Sequence, residues 1–278
     1  MTICSDLSEN TMIELFINAA MTAGEVIMQY YETGPVVQQK RDRSPVTDAD
    51  LFAERVIFDA LSYQLPGIPI VAEEAVADGR IPDLINRSFI LVDPLDGTKE
   101  FIDRRGDFTV NIAFIEHGIP VCGVVYAPAL GVLYGGDQSG AWKRMIESSS
   151  LSQWLPIAAR KPDEIAVAVA SRSHMCDETV AYLKKENITK LTQIGSSLKF
   201  CLIAEGRADV YPRLGRTMQW DTAAGDAILR SAGGHTRTLD GLPLKYGLSG
   251  GLESDKFVNP PFISCGSSDA FLPDDMNA

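Results

Sequence analysis

The chain is 278 residues long, with 45% apolar and 22% charged residues, close to the globular average. That composition excludes a disordered tail, a collagen-like fibre and a coiled coil, and the length suits one large domain or two modest ones. Acidic residues outnumber basic ones 37 to 25, a net charge of −12, so the surface repels nucleic acid and anionic lipid, and an anionic substrate needs local positive charge, usually from bound metal cations.

No apolar run approaches the roughly 18 residues of a membrane span, so stable membrane insertion is not expected. The first basic residue is Lys40, and Asp6, Glu9, Glu14, Glu25 and Glu32 precede it, which speaks against a signal or transit peptide. Cys4, Cys122, Cys176, Cys201 and Cys265 are scattered, without a CxxC pair. They suggest neither a disulfide scaffold nor a zinc knuckle. A reducing cytoplasm is the expected location, with peripheral association at the inner face of the membrane left open.

The first element is a helix. Ile13, Phe16, Ile17, Ala20, Gly24, Ile27, Met28 and Tyr31 share one face, Thr11 with Glu14 makes a capping box, and Thr33-Gly34-Pro35 stops it. A second helix is expected from Thr47 to about Leu61. Ile68–Ala72 reads as a strand ending in Glu73-Glu74, and Ser88–Val92 as a strand ending in Asp93-Pro94, where proline interrupts the ladder. From Phe108 to Trp142, apolar runs alternate with turns at Glu116–Gly118, Pro128–Gly131 and Asp137–Gly140, the pattern of an antiparallel meander. Beyond about residue 155, strands at Ile165–Ala170, Lys190–Ile194 and Ala208–Tyr211 alternate with helices at Asp177–Lys185, Ser196–Glu205 and Asp221–Ala232. The chain therefore reads as α/β (α+β), with an N-terminal half at 1–150 and a C-terminal half at 151–278. Gly247–Val258 reads as a mobile loop.

Acidic residues stand at the ends of several elements. Asp93-Pro94-Leu95-Asp96-Gly97-Thr98 puts two carboxylates and the Leu95 carbonyl on one turn, the oxygen set a hard cation takes. Gly97 permits close backbone approach, and the Gly97 and Thr98 amides can face a phosphate. Glu73-Glu74 is a solvated turn unless it meets Asp93. Asp50 is either the capping-box partner of Thr47 or a general base. Asp221 either caps the helix it opens or belongs with the other acids. Gly195-Ser196-Ser197-Leu198-Lys199 offers hydroxyls and an ammonium to an anion, or a plain serine cap, and Ser171-Arg172-Ser173-His174 adds a second polar turn.

Together these segments resemble the inositol-monophosphatase superfamily, whose signature is Glu-Glu after a strand, Asp-Pro-(Ile/Leu)-Asp-Gly-Thr, and a distant Trp-Asp-x-Ala-Ala-Gly. Here these are Glu73-Glu74, Asp93–Thr98 and Trp220–Gly225. Ser44–Thr47, Lys99-Glu100-Phe101, Gly106–Asn111 and Gly195–Cys201 look like the CysQ-type 3′(2′),5′-bisphosphate nucleotidase branch. Leu214 stands where inositol phosphatases carry an inositol-binding Glu.

The resemblance implies a layered α/β/α/β/α sandwich and a hydrolase that converts adenosine 3′,5′-bisphosphate to AMP and phosphate, in sulfate assimilation. Glu73, Asp93 and the Leu95 carbonyl would bind one Mg²⁺ and Asp93, Asp96 and Asp221 a second, with two or three ions per site. Asp50 and Thr98 would activate a water, and Gly97 and Thr98 would hold the cleaved phosphate. The second phosphate and the adenosine would lie near His174, Ser196, Lys199 and Arg213. The expected partner is this small nucleotide bisphosphate, with no nucleic acid, and a homodimer stays open. The alternatives are an inositol or broad sugar phosphatase and a catalytically silent nucleotide- or metal-binding regulator.

Overall fold

A computed structural model describes residues 9–40, 44–84, 88–147, 150–163, 165–173, 175–248, 256–267 and 271. Helix α1 spans Glu9–Thr33 and buries the predicted face, including Ile13, Phe16, Ala20 and Ile27. Thr11 lies inside this helix, so the expected Thr11–Glu14 capping box is not its start. Burial of Met12 and Ile13 carries the helix past that local signal. Gly34 ends it in a left-handed turn (φ +91°), donating its N–H to the Tyr30 carbonyl at 2.9 Å. A ribbon of β1 (Val37–Gln39) and β2 (Pro45–Thr47) then leads into α2 (Asp48–Gln64).

Among the described residues, eight strands form the first sheet. These are β3 (Ile70–Ala72), β4 (Ser88–Asp96), β5 (Thr109–Glu116), β6 (Ile119–Ala127), β7 (Val132–Asp137), β8 (Gly140–Glu147), β9 (Ser150–Leu151) and β10 (Leu155–Ile157). Their order is β10-β8-β7-β6-β5-β4-β3, with β9 paired to β8. The pairing is antiparallel except between β3 and β4, so the predicted meander is present. Short helices α3 (Glu73–Ala77) and α4 (Thr98–Ile102) follow β3 and β4 directly.

The second sheet has the order β12-β11-β13-β15-β14. It comprises β11 (Val167–Ser171), β12 (Lys190–Ile194), β13 (Val210–Arg213), β14 (His235–Thr238) and β15 (Phe262–Cys265). Helix α5 (Asp177–Lys185) joins β11 to β12, α6 (Leu198–Ala204) joins β12 to β13, and α7 (Ala223–Ser231) follows β13. Strands β11, β12 and β13 are parallel, and β15 is antiparallel to its neighbours. The sequence pattern missed β14 and β15, whose partners lie far along the chain. Residues 249–255 of the expected mobile loop lie outside the described residues.

The layers follow from which face each side chain joins. Along β4, Ile90 and Val92 pack with α1 and α2, while Phe89 and Leu91 pack with α6 and α7. Residues of α6 and α7, such as Phe200 and Ile228, also join Val169, Tyr211 and Phe262 of the second sheet. Leu183 of α5 meets Ala168, Val210 and Ile263 on that sheet's far side. The result is the expected α/β/α/β/α order. Close approach of α7 to the first sheet depends on glycine: a Cβ on Gly123 would sit 2.6 Å from the Ala224 carbonyl oxygen.

Candidate active site

The acidic cluster is assembled by strand register. Ala72 pairs with Val92 in the parallel β3–β4 ladder, which brings Glu73 beside Asp93. Strand β4 continues past Pro94, contrary to the expected stop, because it bulges there. It uses three residues from Asp93 to Asp96 where β5 uses two, from Asn111 to Thr109. Side chains alternate faces with period two, so three residues without a bulge would send the two carboxylates to opposite faces. The extra residue lets both line one cleft.

Asp221 arrives from the turn between β13 and α7. It does not cap α7, since Thr222 holds the N-cap position; instead Asp221 Oδ2 accepts the Met218 N–H at 2.9 Å. Two side chains fasten this turn to the chain's later segments. Gln219 exchanges two 2.8 Å hydrogen bonds with the Gly247 backbone. Asn259 donates to the Met218 carbonyl (2.7 Å) and to Thr222 Oγ1 (3.0 Å).

Glu73, Asp93 and Asp221 thus each offer an oxygen within 4.8 Å of the others. Asp96 lines the same cleft but stands outside that trio. Its Oδ2 lies 3.2 Å from Asn111 Nδ2 and 3.1 Å from Ser197 Oγ. Burial pushes Asp93 well above the usual carboxylate range, and Glu73, Asp96 and Asp221 push it further. Burial, then Asp96 and Glu73, raise Asp221 to about 8. Burial also raises Asp96, against the pull of Lys199 and its hydrogen bonds. Oxygen donors this crowded, without histidine or cysteine, suit a hard divalent cation, whose charge would relieve the repulsion. The residues present therefore fit the metal that the sequence pattern implies.

Beside the acids, Asp50 makes the capping contacts and also faces Thr98. The capping box is present: Asp50 Oδ2 accepts the Thr47 N–H (2.7 Å) and hydroxyl (2.6 Å). Its other oxygen, Oδ1, lies 3.1 Å from Thr98 Oγ1, which also reaches the Leu95 carbonyl at 3.3 Å. Burial raises Asp50 to about 6, against the Thr47 hydrogen bonds. Gly97, at φ +94°, makes the turn that places Thr98 here.

The same cleft, of about 530 Å³, also carries cations. Ser196, Lys199, Arg213 and Arg216 line it together with Tyr211 and Trp220. Lys199 is buried and donates to the Ser196 carbonyl, while burial pulls its pKa down to about 8 although Asp96 favours the charged form. Arg213 donates to the Arg216 carbonyl at 2.6 Å. The Ser197 hydroxyl does not cap α6. It lies 2.6 Å from the Asp221 carbonyl and accepts from Asn111 at 2.9 Å.

Glu73, Asp93, Leu95, Asp96, Gly97, Thr98, Ser196, Lys199, Arg213 and Asp221 all line this cleft, with Asp50 attached through Thr98. His174 lies outside the described residues. Sequence reasoning missed Lys40, which bridges Glu73 (2.5 Å) and Glu74 (2.6 Å). Burial works against its charge, but the two glutamates outweigh it and raise its pKa. It also missed Glu54, whose Oε2 accepts the Glu74 N–H at 2.7 Å and so holds the first turn of α3. Nothing local marks either residue; only the 50/54 spacing, which puts Glu54 one turn after Asp50, was readable.

Known proteins carry the same framework. The family model described as "Inositol monophosphatase family" matches residues 8–263. The 3′(2′),5′-bisphosphate nucleotidase CysQ of Escherichia coli K12 is 44% identical over 253 residues, 90% of this chain and 98% of that protein. CysQ of Buchnera aphidicola is 43% identical, with 91% of this chain and 93% of that one covered. The crystal structure of CysQ from Bacteroides thetaiotaomicron superposes with a TM-score of 0.75 at 35% identity, covering 95% of this chain and all of that one. An inositol monophosphatase structure from Anabaena gives 0.71 at 25% identity over 93% of this chain and 92% of that one. With the layered fold, the bulged Asp93–Asp96 strand and the Trp220-Asp221 turn all in place, the chain belongs to the inositol monophosphatase family.

Proposed function

We propose that the chain is a Mg²⁺-dependent phosphomonoesterase that hydrolyses adenosine 3′,5′-bisphosphate to AMP and phosphate. The observation that carries this reading is one cleft lined both by Glu73, Asp93, Asp96 and Asp221 and by Lys199, Arg213 and Arg216. Such a cleft suits a substrate that brings one phosphate to cations held by the acids and a second anion to the basic side chains. The 44% identity to relatives named 3′(2′),5′-bisphosphate nucleotidase supports the same substrate.

In this reading Glu73, Asp93, the Leu95 carbonyl, Asp96 and Asp221 hold two or three Mg²⁺ ions. When bound, such ions polarise the phosphoryl oxygens and the attacking water and offset charge at the leaving oxygen. The chain's own residues do the rest. Thr98 Oγ1 orients the water and passes its proton toward Asp50 Oδ1, the oxygen that the capping box leaves free. Asp50 cannot swing away, because Thr47 holds its other oxygen twice. The Gly97 and Thr98 amides meet the departing phosphate. Lys199, Arg213 and Ser196 hold the retained phosphate and the nucleoside, and no cysteine acts as a nucleophile. No helix among the described residues is long and apolar enough to cross a membrane, in keeping with a cytoplasmic enzyme.

Phosphate release from adenosine 3′,5′-bisphosphate and from inositol 1-phosphate, each with Mg²⁺ and with EDTA, tests the assignment. Preference for the nucleotide and dependence on metal are expected. Preference for inositol phosphate would move the chain to the sugar-phosphatase reading. Nucleotide binding without turnover would make it a silent regulator.

A further inference from the structure

Two acids that no metal-binding reading uses tie the two walls of the cleft together. Asp107 stands between α4 and β5, on the side of the first sheet, and is almost wholly buried. Its Oδ2 accepts the Gly195 N–H at 2.7 Å and lies 2.5 Å from Arg172 Nη1. Arg172 in turn donates to the Gln193 carbonyl at 3.2 Å. Glu100, on α4, accepts the Ser173 hydroxyl at 2.6 Å. All of these donors directly follow β11 or β12 of the second sheet.

The packing at this seam leaves no slack. A Cβ on Gly195 would lie 2.5 Å from the Asp107 carbonyl oxygen and 2.9 Å from Glu100 Cγ, so only glycine fits. The next residue, Ser196, takes a left-handed conformation (φ +50°) uncommon for a non-glycine residue and offers its carbonyl to Lys199. The conformation that presents Ser196 and Lys199 to the cleft is thus fixed from the side of the first sheet.

We propose that Asp107 is a positioning residue for substrate selection: by holding Gly195 and Arg172, it sets the place of the Ser196–Lys199 anion subsite relative to the carboxylates of the cleft. This rests on the bisphosphate reading of that cleft. Asp107 would act on the retained phosphate through Ser196 and Lys199, with no part in the bond-breaking step.

The test compares Asp107→Ala and Arg172→Gln with the parent on adenosine 3′,5′-bisphosphate and on 3′-AMP, which lacks the retained phosphate. For both variants, KM for the bisphosphate should rise by about tenfold or more, the worth of one charge-assisted hydrogen bond, with kcat within about threefold. Turnover of 3′-AMP and the Mg²⁺ midpoint should stay within about threefold. Hydrogen exchange across 193–199 should speed up in both variants, a readout that does not depend on which substrate the enzyme takes. Equal loss on both substrates would make the seam merely structural and overturn the proposal. A lower bisphosphate KM in Asp107→Ala would also overturn it, by making Arg172 a direct ligand that Asp107 restrains. Unchanged exchange and unchanged KM would do the same. If the parent does not hydrolyse the bisphosphate, the functional reading fails first, and exchange in 193–199 still decides whether Asp107 fixes this loop. If Asp107→Ala does not fold, Arg172→Gln carries the test, because it changes a residue about one-third exposed.

Discussion

Asp50→Asn separates architecture from chemistry at one atom pair. The Asn carbonyl can still accept both Thr47 donors, so loss of the charged cap costs about 1 kcal/mol or less. Against that stands the burial of the native carboxylate, which in the metal-free protein raises its pKa from 3.8 to about 6. An acid whose folded pKa is raised keeps its proton longer in the folded state than in the unfolded chain. Its contribution is therefore lost as pH rises from 3.8 to about 6 and stays lost above that. At pH 7 the ionised side chain opposes folding by on the order of 3 kcal/mol. The variant should melt no lower than the parent at pH 7 in EDTA, and this share of the stability decline between pH 4 and 6 should vanish. Activity should respond the opposite way. Without the carboxylate, the Thr98 hydroxyl has no base for the proton it passes on, and kcat should fall by ~10²–10⁴ at saturating Mg²⁺. Thermal melts in EDTA across pH 4–8 and phosphate-release assays provide the two readouts. A variant keeping more than about a third of the parent kcat would return Asp50 to the capping box and leave the water without an activator.

Because Asp221 is raised to about 8 without metal, Mg²⁺ binding at pH 7 should release protons; calorimetry in buffers of different ionisation enthalpy would detect them, and a buffer-independent enthalpy would contradict the shift. Asp96→Asn should lower kcat severely while the fold survives, as judged by circular dichroism, and activity within a few-fold of the parent at saturating Mg²⁺ would remove Asp96 from the ligand set. Lys199→Ala should weaken the bisphosphate and spare 3′-AMP, the reverse of Asp96→Asn, which should impair both. Gly123→Val should destabilise by about 2 kcal/mol or more in urea titration, because its side chain meets the Ala224 backbone 2.6 Å from the Cβ position.

Elements whose signals are local were readable from the chain. Asp177–Lys185 and Lys190–Ile194 match α5 and β12, and the Thr47–Asp50 box matches the start of α2. Thr11 carried the same kind of signal and was overridden by burial of its neighbours, since a cap contributes less than two apolar side chains joining the core. Strands β14 and β15 were invisible because a pairing between His235–Thr238 and Phe262–Cys265 leaves no trace in either segment alone. In the site, the acids announced themselves by residue type. Their supports were less legible: Lys40 carries no local signal, and Asn111 and Ser197, although they stand in segments the sequence marked, show no sign of the carboxylate that each meets in the fold.

The turn that delivers Asp221 is pinned by Gly247 and Asn259, and β13, which leads toward it, pairs with β15. These fasteners emerge after Asp221 during synthesis. A ribosome-bound chain that has already exposed Glu73, Asp93, Asp96 and even Asp221 still lacks the contacts that hold the fourth acid in place. The turn that carries Asp221 therefore gains these contacts only once residues 247 to 265 have been made, so the cluster of carboxylates is fastened after its last member is synthesised.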